Sequence, residues 1–103
     1  MKILPLSGPF HFIGIGGSGM SPLAEILRAQ GESVSGSDEK ASDTTKRLEA
    51  MGVRVHHDHD GKNVAGARCL VVSSAIRESN PELMEARARG IKAAVILAID
   101  DGH

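Results

Sequence analysis

Phe12-Ile13-Gly14-Ile15-Gly16-Gly17-Ser18-Gly19-Met20-Ser21 is the stretch on which the reading of this chain turns. Gly14, Gly16 and Gly19 give the spacing G-x-G-x-x-G between an apolar run that reads as a buried strand and an amphipathic helix pattern. Where a first strand turns into a first helix, glycine opens backbone dihedrals closed to other residues and leaves no Cβ between main chain and ligand. Free amides and the positive end of the helix dipole converge there, which suits a phosphate or pyrophosphate. The same spacing also serves a tight turn whose glycines answer only to packing, so the surrounding strand, helix and a later acidic residue decide between the two.

Upstream, Phe10 to Ile15 is apolar nearly throughout, as a central strand covered on both faces should be. His11 interrupts it and reads as a hydrogen-bonded edge or core histidine rather than a catalytic base. Downstream, Met20, Leu23, Ala24, Ile26 and Leu27 form an apolar stripe with Glu25 and Arg28 opposite, Pro22 in the first turn and Gly31 as the stop. Ser33 to Asp38 reads as a second strand ending in a carboxylate 19 residues beyond Gly19. An acidic residue at such a tip can accept hydrogen bonds from ribose hydroxyls, and its place at the strand's carboxyl end favours that reading of Asp38 over a turn or cap carboxylate.

A second helix follows, with Asp43 as its cap, Thr44, Leu48 and Met51 inward, and Gly52 at its end. Val53 to Val55 gives a third strand. His56-His57-Asp58-His59-Asp60 then gathers imidazoles and carboxylates, both ordinary metal ligands, but consecutive residues diverge and no further cluster completes a tetrahedral set. A solvated loop at the rim of the crevice is the preferred reading. Cys69 to Val72 is a fourth, continuously apolar strand that releases Ser73-Ser74-Ala75-Ile76 at its carboxyl end. In an open α/β sheet the ligand crevice lies where chain order reverses, so Ser73 and Ser74 should face the glycine turn across it; serines that merely cap the loop are the alternative. Asn80-Pro81-Glu82 is a helix start that needs no functional explanation, and Ile91 to Ile99 supplies a fifth strand before a polar tail.

Five strand patterns alternating with helices predict an α/β fold: a Rossmann-like, doubly wound, five-stranded parallel sheet in the order 3-2-1-4-5. With 103 residues the chain should be one domain, residues 1–103. Twelve Lys and Arg against thirteen Asp and Glu give a net charge of -1, so no global field favours nucleic acid or an anionic membrane. The single cysteine, Cys69, reads as a small core residue suited to the reducing cytoplasm. The amino-terminal apolar run is too short for a signal peptide and no stretch approaches a membrane span, so a soluble cytoplasmic protein is expected.

In His11 to Ser21, Ser35-Gly36-Ser37-Asp38, Thr45-x-Arg47-Leu48, His59 with Asn63-Val64, Val71 to Ile76 and Asn80-Pro81-Glu82, the sequence resembles the amino-terminal domain of the Mur ligases. Within that family the Gly16-Gly17-Ser18-Gly19-Met20 run sides with the branch that adds L-alanine, rather than the branch that recycles murein tripeptide. The resemblance implies binding of the UDP part of UDP-N-acetylmuramic acid. The implied site comprises Gly16, Gly17, Ser18 and Gly19 at the diphosphate, with Gly14 and Met20 beside them in the UDP-binding set, Asp38 and His59 near the uridine, and Ser73, Ser74 and Ala75 lining the pocket. It implies no metal ligand and no catalytic residue here, and partner domains that use ATP and Mg²⁺ to join the substrate to L-alanine in peptidoglycan biosynthesis.

Two departures bound the resemblance. Lys92 to Asp100 lacks the proline and Arg-x-Glu-Met-Leu-like segment usual in the family, and no G-x-x-x-x-G-K-[ST] phosphate loop occurs. The expectation is an excised domain or truncated relative, inactive alone. The turn and Asp38 would also serve an NAD(P)-binding domain of an oxidoreductase or regulatory subunit, and a third reading is a folded fragment that, as one wall of a multi-domain cleft, binds nothing measurable.

Overall fold

Phe10, His11, Phe12 and Ile13 are all buried, and as strand β1 (Phe10–Ile13) they form the middle of the sheet. The computed structural model describes residues 7–96. Around β1 run β2 (Val34–Ser37), β3 (Arg54–His56), β4 (Cys69–Ser73) and β5 (Lys92–Ile96), in the order β3-β2-β1-β4-β5. Every pairing is parallel, with Phe10 level with Val34 on one side and with Cys69 on the other. This is the doubly wound order anticipated, and the order in which the chain lays down its strands reverses between β1 and β4.

Alternation along the strands divides the core. Phe10, Phe12, Val34, Cys69 and Val71 pack with Ala24 and Leu27 of α1 (Ser21–Ala29) and Leu48 of α2 (Asp43–Ala50). Ile13, Leu70 and Val72 point the other way, onto Leu83 and Ala86 of α3 (Pro81–Ala88) and Val64 of a 3₁₀ turn (Gly61–Val64). Burying the large side chains of both clusters supplies about 1.5–3 kcal/mol each.

Several expectations shift in detail. The cap of α2 is Ser42, not Asp43: its hydroxyl accepts from the Thr45 amide at 3.2 Å, while the Ser42 amide donates to Thr45 Oγ1 at 2.9 Å. This box turns Thr45, rather than Thr44, into the core. Ile26 is 45% exposed and so leaves the inward stripe of α1. β2 is one residue shorter at each end than expected, although the Asp38 amide still donates to the His56 carbonyl at 2.9 Å, and β3 begins one residue late. The tail after Ile96, including the expected end of the fifth strand, and the amino-terminal run lie outside the described residues. Among the described residues no helix is long and apolar enough to cross a membrane. Cys69 is buried, as expected, and burial pushes its thiol pKa up against a smaller opposing effect of a backbone hydrogen bond at Ala94.

Candidate functional site

The glycine turn leaves β1 at Ile13 and enters α1 at Ser21, at the carboxyl edge of the sheet. Gly14 has φ +74°, a left-handed conformation that a side chain would strain. Most of the turn's amides are bound within the protein. Those of Gly14 and Ile15 donate to the Ser37 carbonyl at 2.8 and 2.9 Å, that of Gly17 to the Gly14 carbonyl at 3.0 Å, and that of Met20 to the Gly17 carbonyl at 3.0 Å. The Gly16 amide donates to Asp38 Oδ2 at 2.9 Å. Among the described residues, only Ser18 and Gly19 within this turn have amides with no protein acceptor. The expected convergence of free amides at this turn thus narrows to two donors at the amino end of α1, whose cap residue Met20 adds no side-chain bond.

Gly19 sets itself apart from its neighbours. A Cβ on Gly16 would lie 2.7 Å from Asp38 Oδ2, and one on Gly17 3.2 Å from the Gly14 carbonyl, so both glycines answer to packing. A Cβ on Gly19 would meet nothing within 4 Å, and no positive φ is recorded there. The protein itself makes no demand for glycine at that position; an approaching ligand would.

Beside Ser18 and Gly19 opens a cleft of about 250 Å³ lined by Ile13, Gly14, Gly17, Met20, Ser73, Ala75, Ile76 and Ile96. It lies between the carboxyl ends of β1 and β4, where α/β sheets bind ligands. Seven of the eleven residues singled out from the sequence therefore meet there: Gly14, Gly17, Ser18, Gly19, Met20, Ser73 and Ala75. Gly16 and Asp38 lie behind the turn, where Asp38 also accepts from the Lys40 amide at 3.0 Å. Both carboxylate oxygens thus have protein donors, the arrangement of the turn-carboxylate reading. Ser73 Oγ accepts from the Ala75 amide at 3.1 Å, shaping the loop on the far wall, while Ser74 is exposed and its amide donates to the Ile96 carbonyl at 2.9 Å. His59 lines a neighbouring groove with Glu39, Arg77 and Ser79 that shares Ala75 and Ile76 with the cleft. Another cleft, of about 300 Å³, opens at the amino ends of the strands among Pro9, Ser33, Arg54 and Gly66 and holds none of the eleven.

One residue that the sequence marks only as part of a helix start stands at the centre of the polar interior. Glu82, at the start of α3, is fully buried; Oε1 accepts from His11 Nε2 at 2.6 Å and Ser37 Oγ at 2.8 Å, and Oε2 from Asn63 Nδ2 at 3.2 Å. His59 Nδ1 lies 3.3 Å from Oε2 and 3.1 Å from Ser37 Oγ. Burial pushes this carboxyl up, but the hydrogen bond and charge of His11, with the bonds from Ser37 and Asn63, outweigh it and hold its pKa below the usual range. His11 is the core histidine expected, its Nδ1 2.8 Å from Ser35 Oγ. The sequence did hold a signal for Glu82, since a lone polar residue in a fully buried strand must find a partner.

The model of the "Mur ligase family, catalytic domain" matches residues 9–98. UDP-N-acetylmuramate–L-alanine ligase of Phenylobacterium zucineum is 54% identical over 82 residues, covering 80% of this chain and 17% of the relative. The enzyme of that name from Xanthomonas campestris pv. campestris is 56% identical over 81 residues, again 17% of its length. The chain thus spans 17% of the length of these curated relatives. Among solved structures, UDP-N-acetylmuramate-alanine ligase MurC of Thermotoga maritima superposes with a TM-score of 0.81 at 30% identity, over 85% of this chain and 20% of that one. The UDP-N-acetylmuramate:L-alanyl-gamma-D-glutamyl-meso-diaminopimelate ligase of Neisseria meningitides does so at 0.78 and 27% identity, over 87% and 29%. A turn of this geometry at the reversal point of a 3-2-1-4-5 sheet, with a family match over nearly its whole length, places the chain in the Mur ligase family.

Proposed function

We propose that this chain is the amino-terminal, substrate-binding domain of a ligase that joins UDP-N-acetylmuramic acid to L-alanine in peptidoglycan biosynthesis, and that its own task is to bind the UDP moiety. The observation that carries this is the pair of unpartnered amides, Ser18 and Gly19, at the mouth of the cleft. Backbone donors at a helix amino terminus suit a diphosphate, and the missing Gly19 side chain lets it approach. Gly14, Gly16 and Gly17 shape the turn, Met20, Ser73 and Ala75 wall the cleft, and Ser74 stands at its rim. Asp38 acts from behind by bracing Gly16, and His59 faces the uridine from the adjoining groove.

ATP and Mg²⁺ serve the ligation elsewhere in the full enzyme. The turn carries no lysine and the sequence no G-x-x-x-x-G-K-[ST], so these residues do not fit a triphosphate site. The reading makes this chain a binder without ligase activity of its own, working in the cytoplasm with the enzyme's remaining domains.

Calorimetric titration of the 103-residue chain with UDP, UDP-N-acetylmuramic acid and NAD tests this reading. Binding of both uridine ligands and not NAD is expected. Binding of NAD alone, or of none, overturns it.

A further inference from the structure

We propose that Glu82 is a positioning residue for nucleotide recognition: from α3 it fixes the His59 ring with its proton on Nδ1, so that Nε2 is presented to the groove as a hydrogen-bond acceptor. This rests on the UDP reading above, and it assigns the matching ligand group, an N–H or O–H of the nucleoside.

The proton count leads there. An ionised carboxylate can only accept hydrogen bonds, so each of the four groups around Glu82 must bring a hydrogen. Asn63 brings an amide hydrogen to Oε2 and Ser37 its single hydroxyl hydrogen to Oε1, at 2.8 Å. That hydrogen is then not directed at His59, although Ser37 Oγ lies 3.1 Å from Nδ1. The Nδ1 atom, 3.3 Å from Oε2, therefore carries its own proton and shares it between Ser37 Oγ and Glu82; a bare lone pair there would face two acceptors. The low-lying pKa of the carboxyl keeps it in the ionised form this count requires.

The other edge of the ring looks outward. His59 keeps 20% of its side chain exposed and lines the groove that shares Ala75 and Ile76 with the cleft. Its Nε2 lies 3.8 Å from Glu39 Oε1, on a side chain 78% exposed and so displaceable by a ligand. With the ring's proton held at Nδ1, Nε2 can accept but not donate, which selects a donor group such as a ribose hydroxyl or an imide N–H. Glu82 is thus joined to the rim of the crevice by one ring, while His11 and Ser37 tie the same carboxylate to β1 and β2.

The test is nitrogen-15 NMR of the imidazole side chains of the 103-residue chain at neutral pH, with UDP as the probe and calorimetry alongside. Unliganded wild type should show His59 with a protonated Nδ1 and a bare Nε2, and UDP should shift Nε2 alone in the direction of a hydrogen-bonded acceptor. Glu82→Gln, whose amide can donate toward Nδ1, should move the His59 proton to Nε2 and weaken UDP about threefold to tenfold, the worth of one hydrogen bond. A wild-type Nε2–H tautomer overturns the proposal without any variant. So does UDP binding that leaves Nε2 unmoved, with the UDP reading intact. Absence of UDP binding beside an Nδ1–H signature overturns the UDP reading and the recognition role built on it.

Discussion

Asp38 Oδ2 accepts the Gly16 amide at 2.9 Å, so the carboxylate at the tip of β2 is a brace for the glycine turn that follows β1. Truncating it releases the Gly16 amide and lets the turn drift from β2. Asp38→Ala should cost about 1–2 kcal/mol in urea denaturation, the range for a half-exposed charge-assisted bond, and weaken UDP in parallel. Unchanged stability together with lost UDP affinity would instead place Asp38 directly on the ligand.

Gly19→Ala separates packing from ligand access. Its Cβ has open space, so folding stability should move by less than about 1 kcal/mol, while UDP affinity should fall at least tenfold, about 1.4 kcal/mol. Calorimetry beside thermal melting reads both. Full UDP affinity in a folded Gly19→Ala protein contradicts the diphosphate assignment.

Gly36→Ala makes the opposite prediction. The new methyl would sit 2.6 Å from Ile15 Cδ1 and 2.7 Å from Ile15 Cβ, in the core beneath the turn. Overpacking of this kind costs about 1–3 kcal/mol, visible as a lowered denaturation midpoint.

Glu82 gives stability a pH dependence of known sign. Its native pKa lies below the ordinary value of 4.5, so ionised Glu82 favours the fold fully above that pH and loses its effect as pH falls through the native value. Denaturation midpoints measured from pH 7 to pH 3 should decline in wild type. Glu82→Ala should flatten that decline and lower stability at neutral pH by about 3–5 kcal/mol, as when one partner of a buried network is removed.

Cys69 should resist thiol reagents in the native state, since burial both covers the sulfur and raises its pKa. Its labelling rate should rise sharply only at denaturant concentrations that unfold the sheet. Rapid labelling in native buffer would show that β4 opens locally.

The fold was legible because its signals are local and repeated: apolar runs without alternation at Phe10 and Cys69, glycines at Gly31 and Gly52, and Asn80-Pro81 at a helix start all express short-range preferences. Strand order followed from connection rules that hold for most such sheets. The site was legible only in outline. Asp38 was correctly placed at a strand tip, but its engagement by Gly16 depends on how far β1 and β2 are offset, which spacing along the chain does not encode. Glu82 escaped for a related reason. Beside Asn80 and Pro81 it looks like an ordinary first-turn carboxylate, and only the crossing of α3 over β1 brings it to His11, 71 residues earlier. Ser42 took the cap from Asp43 because the reciprocal bond with Thr45 requires a spacing of three.

The bracing of the glycine turn also bears on how fast a nucleotide is captured. The turn's bonds to Ser37 and Asp38 are made within the protein, so holding it in place asks nothing of a nucleotide and leaves little entropy to lose on binding. Association should accordingly show a single concentration-dependent phase, limited by diffusion and orientation, and ligands should differ mainly in how slowly they depart.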